Sequence, residues 1–136
     1  MATVQRFEDL DVWKRAKSLA NLVYDFSESG QFARDFGLRD QMRRAAVSIM
    51  SNIAEGFESK TQATFINYLS HAKASSGELR AQLYLAHDRN YISTEQFKEA
   101  SEMAEICSKQ ILKLSQYLES RPNSRRISEE GAVYDV

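Results

Sequence analysis

Hydrophobic residues recur along the chain at alternating steps of three and four positions, the spacing of one face of an α-helix. A sustained 3.5-residue period keeps one seam facing a neighbouring helix and indicates left-handed, nearly antiparallel packing. The pattern therefore predicts an all-α fold, an up-down-up-down left-handed antiparallel four-helix bundle. The second segment shows the series with one polar member: Leu38, Met42, Ala45, Ile49, Asn52 and Gly56.

Glycines and the single proline separate the periodic segments. We expect Thr61 and Ser93 to cap the last two helices, Ser93 together with Gln96 in a capping box. Asn90 can take the left-handed conformation that ends a helix. The sequence predicts four helices, at residues 10–28, 38–56, 62–90 and 94–120, with a loop over 29–37.

The length of 136 residues and the hydrophobic content of 43% suit one domain. We expect this domain to span residues 1–121 and residues 122–136 to form a mobile tail, because no apolar period continues there. The lone Cys107 cannot form an intramolecular disulfide, which favours a reducing compartment. Without a secretory signal or an apolar run near the ~20 residues of a membrane span, we expect a cytoplasmic protein that contacts no membrane.

Candidate catalytic and metal-binding motifs are sparse. His71 and His87 are sixteen residues apart, which is not a spacing that places two metal ligands on one helix face. We find no Glu-x-x-His motif of a di-iron bundle, no glycine-rich phosphate loop and no nucleophile motif. We therefore expect no catalytic residue, metal, cofactor or small-molecule substrate, and a protein that is not an enzyme.

The stretch RRAAVSIMSNIAEGFES places polar side chains around an apolar run. An antiparallel turn near Ser59 would bring Arg43 and Arg44 opposite the middle of the third helix. Glu78 would then lie within reach of a guanidinium, on the face that it shares with Ser75. A structural polar network and a ligand or RNA contact both fit this pattern. The network would contain Arg43, Arg44, Asn52, Glu55, Ser75, Glu78 and Gln82.

Charge restricts any nucleic-acid surface to local patches. With 18 basic and 19 acidic residues the net charge is -1, so the whole molecule has no general attraction to phosphate. Basic residues that could contact nucleic acid lie on the first and third helices: Lys14, Arg15, Lys17, Arg80 and Arg89.

Some apolar residues lie away from the shared seams, more than a lone bundle normally leaves in water. We expect part of this surface to face a second subunit, so that the chain forms a homo-oligomer. The residues concerned are Ile66, Tyr84, Leu85, Met103, Ile106 and Leu112.

Five sequence blocks carry a family resemblance: LDVWKRA, RRAAVSIMSNIAEG, FINYL, SSGELRAQLYLA and NYIS. From about Phe7 to Ser120 the chain resembles the four helix bundle protein family, also called the 23S rRNA intervening sequence protein family. The resemblance implies a bacterial, cytosolic, non-enzymatic protein that assembles into a ring-like homopentamer. A related branch, the accessory variability determinant of diversity-generating retroelements, partners a reverse transcriptase and its RNA.

The chain also departs from the family pattern. The family often has a proline at Met50, an arginine at Ser59, and a Leu-Gly pair at Arg89 and Asn90. Loss of a basic residue at 59 weakens an accessory role that depends on phosphate contacts. Two functions remain open: an oligomeric module associated with RNA or an RNA-bound protein, and a protein–protein adaptor or scaffold, including a reverse-transcriptase accessory subunit.

Overall fold

Five α-helices, preceded by a 3-10 turn at Phe7–Asp9, make up the part of the chain that the computed structural model describes, residues 4–121. The tail predicted for residues 122–136 lies outside the described residues. The helices are α1 (Asp11–Phe26), α2 (Gly30–Arg34), α3 (Phe36–Glu58), α4 (Gln62–Asp88) and α5 (Thr94–Glu119).

The four long helices agree with the four predicted ones, but the region between α1 and α3 does not. Residues 29–37 were predicted as a loop, whereas Gly30–Arg34 forms the short helix α2 and α3 already begins at Phe36. The early start of α3 has a local cause, because the side chain of Asp35 accepts a hydrogen bond from the Leu38 backbone N–H at 3.1 Å.

The predicted caps of α4 and α5 are confirmed. The Thr61 hydroxyl accepts from the Thr64 backbone N–H at 3.1 Å. Ser93 and Gln96 form both hydrogen bonds of a capping box, at 3.0 and 2.8 Å. Asn90 has a φ of 61°, the left-handed conformation expected where a helix ends.

Each long helix packs on two others. Helix α3 contacts α1 and α4, while α5 contacts α4 and α1, so α1 and α4 lie on a diagonal of the bundle. Two contacts show that α3 and α4 run antiparallel: Gly56 lies against Phe65, and Ser48 lies against Ser75. The layout is that of a helical bundle.

The predicted seams form one buried core. Met42, Ile49, Leu79 and Leu114 are fully buried, as the 3.5-residue period requires. Phe32 of α2 adds to this core from outside the seams. Cys107 is also buried, and burial raises the pKa of its thiol to about 12, so the sulfur is a packed apolar group at neutral pH. Other members are Val12, Ala16, Leu19, Val23, Ile53, Phe65, Leu69, Leu83, Ala104 and Leu118.

Candidate functional site

A small polar cluster lies at the contact between α3 and α4. It consists of Ser48, Asn52 and Ser75, and we call it the serine cluster. The hydroxyls of Ser48 and Ser75 are 2.9 Å apart and share a hydrogen bond. Asn52 donates through Nδ2 to the Ser48 carbonyl at 2.8 Å and to the Ser48 hydroxyl at 2.9 Å. Two members of the predicted network, Asn52 and Ser75, are therefore joined through Ser48. Satisfied polar groups on an otherwise apolar seam fix the register of two helices.

Ser48 is not among the residues predicted from the sequence to form the polar network. The available signal was its position four residues before Asn52, which places the two side chains one turn apart on the same face of α3. A serine at that spacing can accept from an asparagine that would otherwise be left with an unpaired amide.

The register of α3 against α4 differs from the expected one by about one helical turn. Ser48, rather than Arg43 or Arg44, lies opposite Ser75. Helix α3 continues past the expected end to Glu58 and α4 begins at Gln62, which centres the turn near Lys60 and explains only part of this difference.

The expected ion pair between Glu78 and an arginine is not formed. None of the ion pairs among residues 4–121 joins Glu78 to Arg43 or Arg44. Glu78 instead accepts from the Gln82 amide at 3.4 Å, one turn along α4. Glu78 and Gln82 are thus adjacent, but among residues 4–121 no side-chain hydrogen bond or ion pair joins them to the serine cluster.

Arg43 joins α3 to the end of α1. Its Nε donates to the Ser27 hydroxyl at 2.8 Å and its Nη2 to the Ser27 carbonyl at 3.1 Å. The guanidinium lies 4.4 Å from the centre of the Tyr24 ring. Ser27 is buried and directly follows α1, so Arg43 satisfies a terminal carbonyl and its charge favours the C-terminal end of the helix dipole. Arg43 therefore has a structural role.

Arg44 and Glu55 are exposed and stand apart from the serine cluster. Arg44 makes no ion pair or hydrogen bond with any other residue of the described range 4–121. It borders a groove between α1 and α3, which we call the basic groove. This groove is lined by Tyr24, Asp40, Arg43, Arg44 and Val47.

The basic residues on α4 are partly engaged by carboxylates. Arg80 forms an ion pair with Glu105 of α5 at 3.1 Å. Arg89 is exposed near Asp35. The pKa of Asp35 lies below its usual value, chiefly because the Leu38 backbone N–H donates to it, with smaller effects from the Tyr91 hydroxyl at 2.9 Å and from the positive charge of Arg89.

Lys14 and Lys17 are three residues apart on one side of α1, whereas Arg15 lies on another side. Lys14 and Lys17 are exposed, and the Lys17 ammonium lies 5.8 Å from the centre of the Trp13 ring. Arg15 is half-buried beside α5. Because α1 and α4 are diagonal in the bundle, one subunit does not place these cations on the same face as Arg80 and Arg89.

A second groove lies between α1 and α5, with a volume of about 560 Å³. We call it the acidic groove. Its apolar surface comes from Met103 and Ile106 and its two cations from Arg15 and Lys98. Three carboxylates complete the lining: Glu95, Glu99 and Glu102.

Two other kinds of feature are not seen in residues 4–121. No group of three histidine, cysteine, aspartate or glutamate side chains there is placed to hold a metal ion. Within the same range, no helix is both long enough and apolar enough to cross a membrane.

Comparison with known proteins identifies the family. The sequence model of the family described as 23S rRNA-intervening sequence protein matches residues 8–113. A Bacteroides thetaiotaomicron crystal structure, described as a protein with unknown function from the S23 ribosomal protein family, is 26% identical with a TM-score of 0.69. The alignment covers 74% of this chain and 94% of that one. No curated protein matches the chain. Since the family match spans most of its length, the chain belongs to the 23S rRNA-intervening sequence protein family.

Proposed function

We propose that the protein is a non-enzymatic, cytoplasmic bacterial homo-oligomer that acts as a module associated with RNA or with an RNA-bound protein. We infer self-assembly from the large hydrophobic side chains that are exposed outside the core. These are Tyr24, Phe36, Val47, Tyr84, Leu85, Ile106 and Leu112.

Helices α4 and α5 carry apolar side chains that the core does not cover. Adjacent Tyr84 and Leu85 are 62% and 50% exposed, and Ile66 and Leu112 line one groove between α4 and α5. Contiguous apolar surface marks contact sites, because covering it contributes roughly 25 cal/mol per Å² of area removed from water. The family resemblance implies that the assembly is a homopentamer.

We further infer the up-down-up-down, left-handed arrangement within each subunit. The alternating steps of three and four between buried residues support the left-handed sense. The antiparallel contacts of α3 with α4, and of α4 with α5 through Arg80 and Glu105, support the alternating direction.

RNA association is supported by the family description and by the exposed ammonium groups of Lys14 and Lys17, neither of which forms an ion pair within residues 4–121. The second candidate is a protein–protein adaptor or scaffold, including a reverse-transcriptase accessory subunit. One observation favours it: the Arg80 cation is already paired with Glu105, which leaves fewer cations for phosphate.

Static light scattering at micromolar concentration tests self-assembly. We expect a mass of several chains, five if the ring is complete, because the exposed apolar surface is covered by neighbouring copies. The mass of one chain would contradict the proposal.

RNA binding over a series of salt concentrations separates the two candidate functions. We expect affinity for RNA to fall with salt, and the double variant Lys14→Ala, Lys17→Ala to reduce the salt slope by about two charges. The matched control is the double variant Lys60→Ala, Lys109→Ala, which removes two exposed lysines elsewhere on the chain. An oligomer that shows no salt-dependent RNA binding would instead favour the adaptor.

A further inference from the structure

We propose that the basic groove of one subunit binds the acidic groove of the next, so that copies of the chain assemble head to tail. This inference rests on the proposed self-assembly and adds which surfaces meet. The acidic groove lies between α1 and α5 and the basic groove between α1 and α3, so one subunit carries both halves of the contact.

The acidic groove carries a row of unpaired carboxylates. Glu95, Glu99 and Glu102 are spaced by four and three residues on one side of α5 and are all exposed. None of them forms an ion pair with another residue in the range 4–121. Like charges at these spacings repel each other on a helix. Arg15 and Lys98 lie beside this row and offset two of its three negative charges. One negative charge remains, which a cation of another subunit can neutralise.

The basic groove carries an excess of positive charge. Arg44 is exposed and lacks a partner among the described residues, so its guanidinium is free to pair with a carboxylate. Arg43 is held in place by Ser27. The one carboxylate of this groove, on Asp40, already pairs with Arg39 at 2.9 Å and does not cancel the charge of Arg44.

Both grooves also expose apolar side chains of similar extent. In the basic groove Tyr24 is 45% and Val47 37% exposed, and in the acidic groove Ile106 is 38% exposed beside the half-buried Met103. Apolar contact flanked by opposite charges is the usual composition of a specific interface. The two grooves are therefore complementary in charge and alike in apolar content.

The relative position of the grooves suits a closed ring. They lie on adjacent sides of the bundle that share α1, so their outward directions diverge by about 90° in a four-helix bundle. A head-to-tail contact closes after four copies at a divergence of about 90° and after five copies at about 108°, with α1 facing the ring axis. A two-fold contact of the basic groove with itself would instead set Arg44 against Arg44, which like-charge repulsion disfavours.

A charge exchange across the interface tests this inference on the full chain. We expect Arg44→Glu alone and Glu99→Arg alone each to raise the concentration needed for assembly by about tenfold or more, since each places like charges opposite one another. The double variant restores opposite charges at the same contact and is expected to return assembly close to the wild-type level. The matched control is Lys60→Glu, an exposed charge reversal outside both grooves. Thermal melts by circular dichroism verify that each variant folds.

The outcomes distinguish this inference from the proposed function. If the wild-type chain is a single copy in solution, self-assembly itself is wrong. If the wild type assembles but both single reversals behave like Lys60→Glu, the assembly uses other surfaces and only the pairing of the two grooves is overturned. Single reversals that weaken assembly without rescue in the double variant also overturn the pairing.

Discussion

Replacing Leu79 with alanine is expected to lower the free energy of unfolding by about 2–5 kcal/mol. Leu79 lies on the seam of α4 and is 0% exposed. The shorter side chain loses the transfer energy of the removed carbons, and the packed neighbours cannot close the space that it leaves. Chemical denaturation at one fixed protein concentration measures the change, because assembly adds to the apparent stability.

A control on the same helix isolates the effect of burial. Asn67 is exposed on α4, so Asn67→Ala is expected to change the free energy of unfolding by no more than about 0.5 kcal/mol. Equal losses for the Leu79 and Asn67 variants would show that the assignment of the α4 seam is wrong.

The seams and caps could be predicted from the sequence because they depend on local geometry. A step of three or four residues places side chains on one helix face wherever the helix lies, so Leu79 and Ile49 could be assigned to the core directly. The Ser93 capping box involves residues only three positions apart. Both features depend only on residues that are close together in the sequence.

The short helix α2 could not be predicted in the same way. It lies in a segment rich in turn residues, and the helix is stabilised by a contact distant in sequence. Phe32 is buried and stacks on Tyr91 with 5.3 Å between ring centres. Tyr91 also donates to Asp35 at 2.9 Å, so the middle of α2 and the residue that follows it are both held against the turn before α5. Tertiary burial here outweighs the local propensity.

The polar pattern of the stretch RRAAVSIMSNIAEGFES is evident from the sequence, but the contacts of its side chains are not. The partner of Arg43 depends on which neighbour of α3 lies on that side, and the partner of Ser75 depends on the register of α3 against α4. The turn between these two helices does not by itself fix that register, and the observed register brings Ser48 rather than an arginine to Ser75. Helix ends are the least certain part of a prediction from sequence.

Replacing Gly56 with alanine is expected to lower the free energy of unfolding by about 1–3 kcal/mol, although alanine is the better helix former. A Cβ atom at this position would lie 2.8 Å from Cδ1 of Phe65 and 2.9 Å from Cβ of Tyr68. Cβ of Tyr68 is fixed to the α4 backbone and cannot rotate away, so α3 and α4 must move apart. The hydrogen bond between Ser48 and Ser75 lies on the same helix contact, about two turns away.

The matched variant is Gly77→Ala, the same substitution on α4 at a position where a Cβ meets no atom within 4 Å. There the gain in helix propensity is unopposed, and we expect the free energy of unfolding to rise by about 0.5–1 kcal/mol. Chemical denaturation of the two variants should therefore give changes of opposite sign. If Gly56→Ala also stabilised the protein, α3 and α4 would have to be farther apart at this contact.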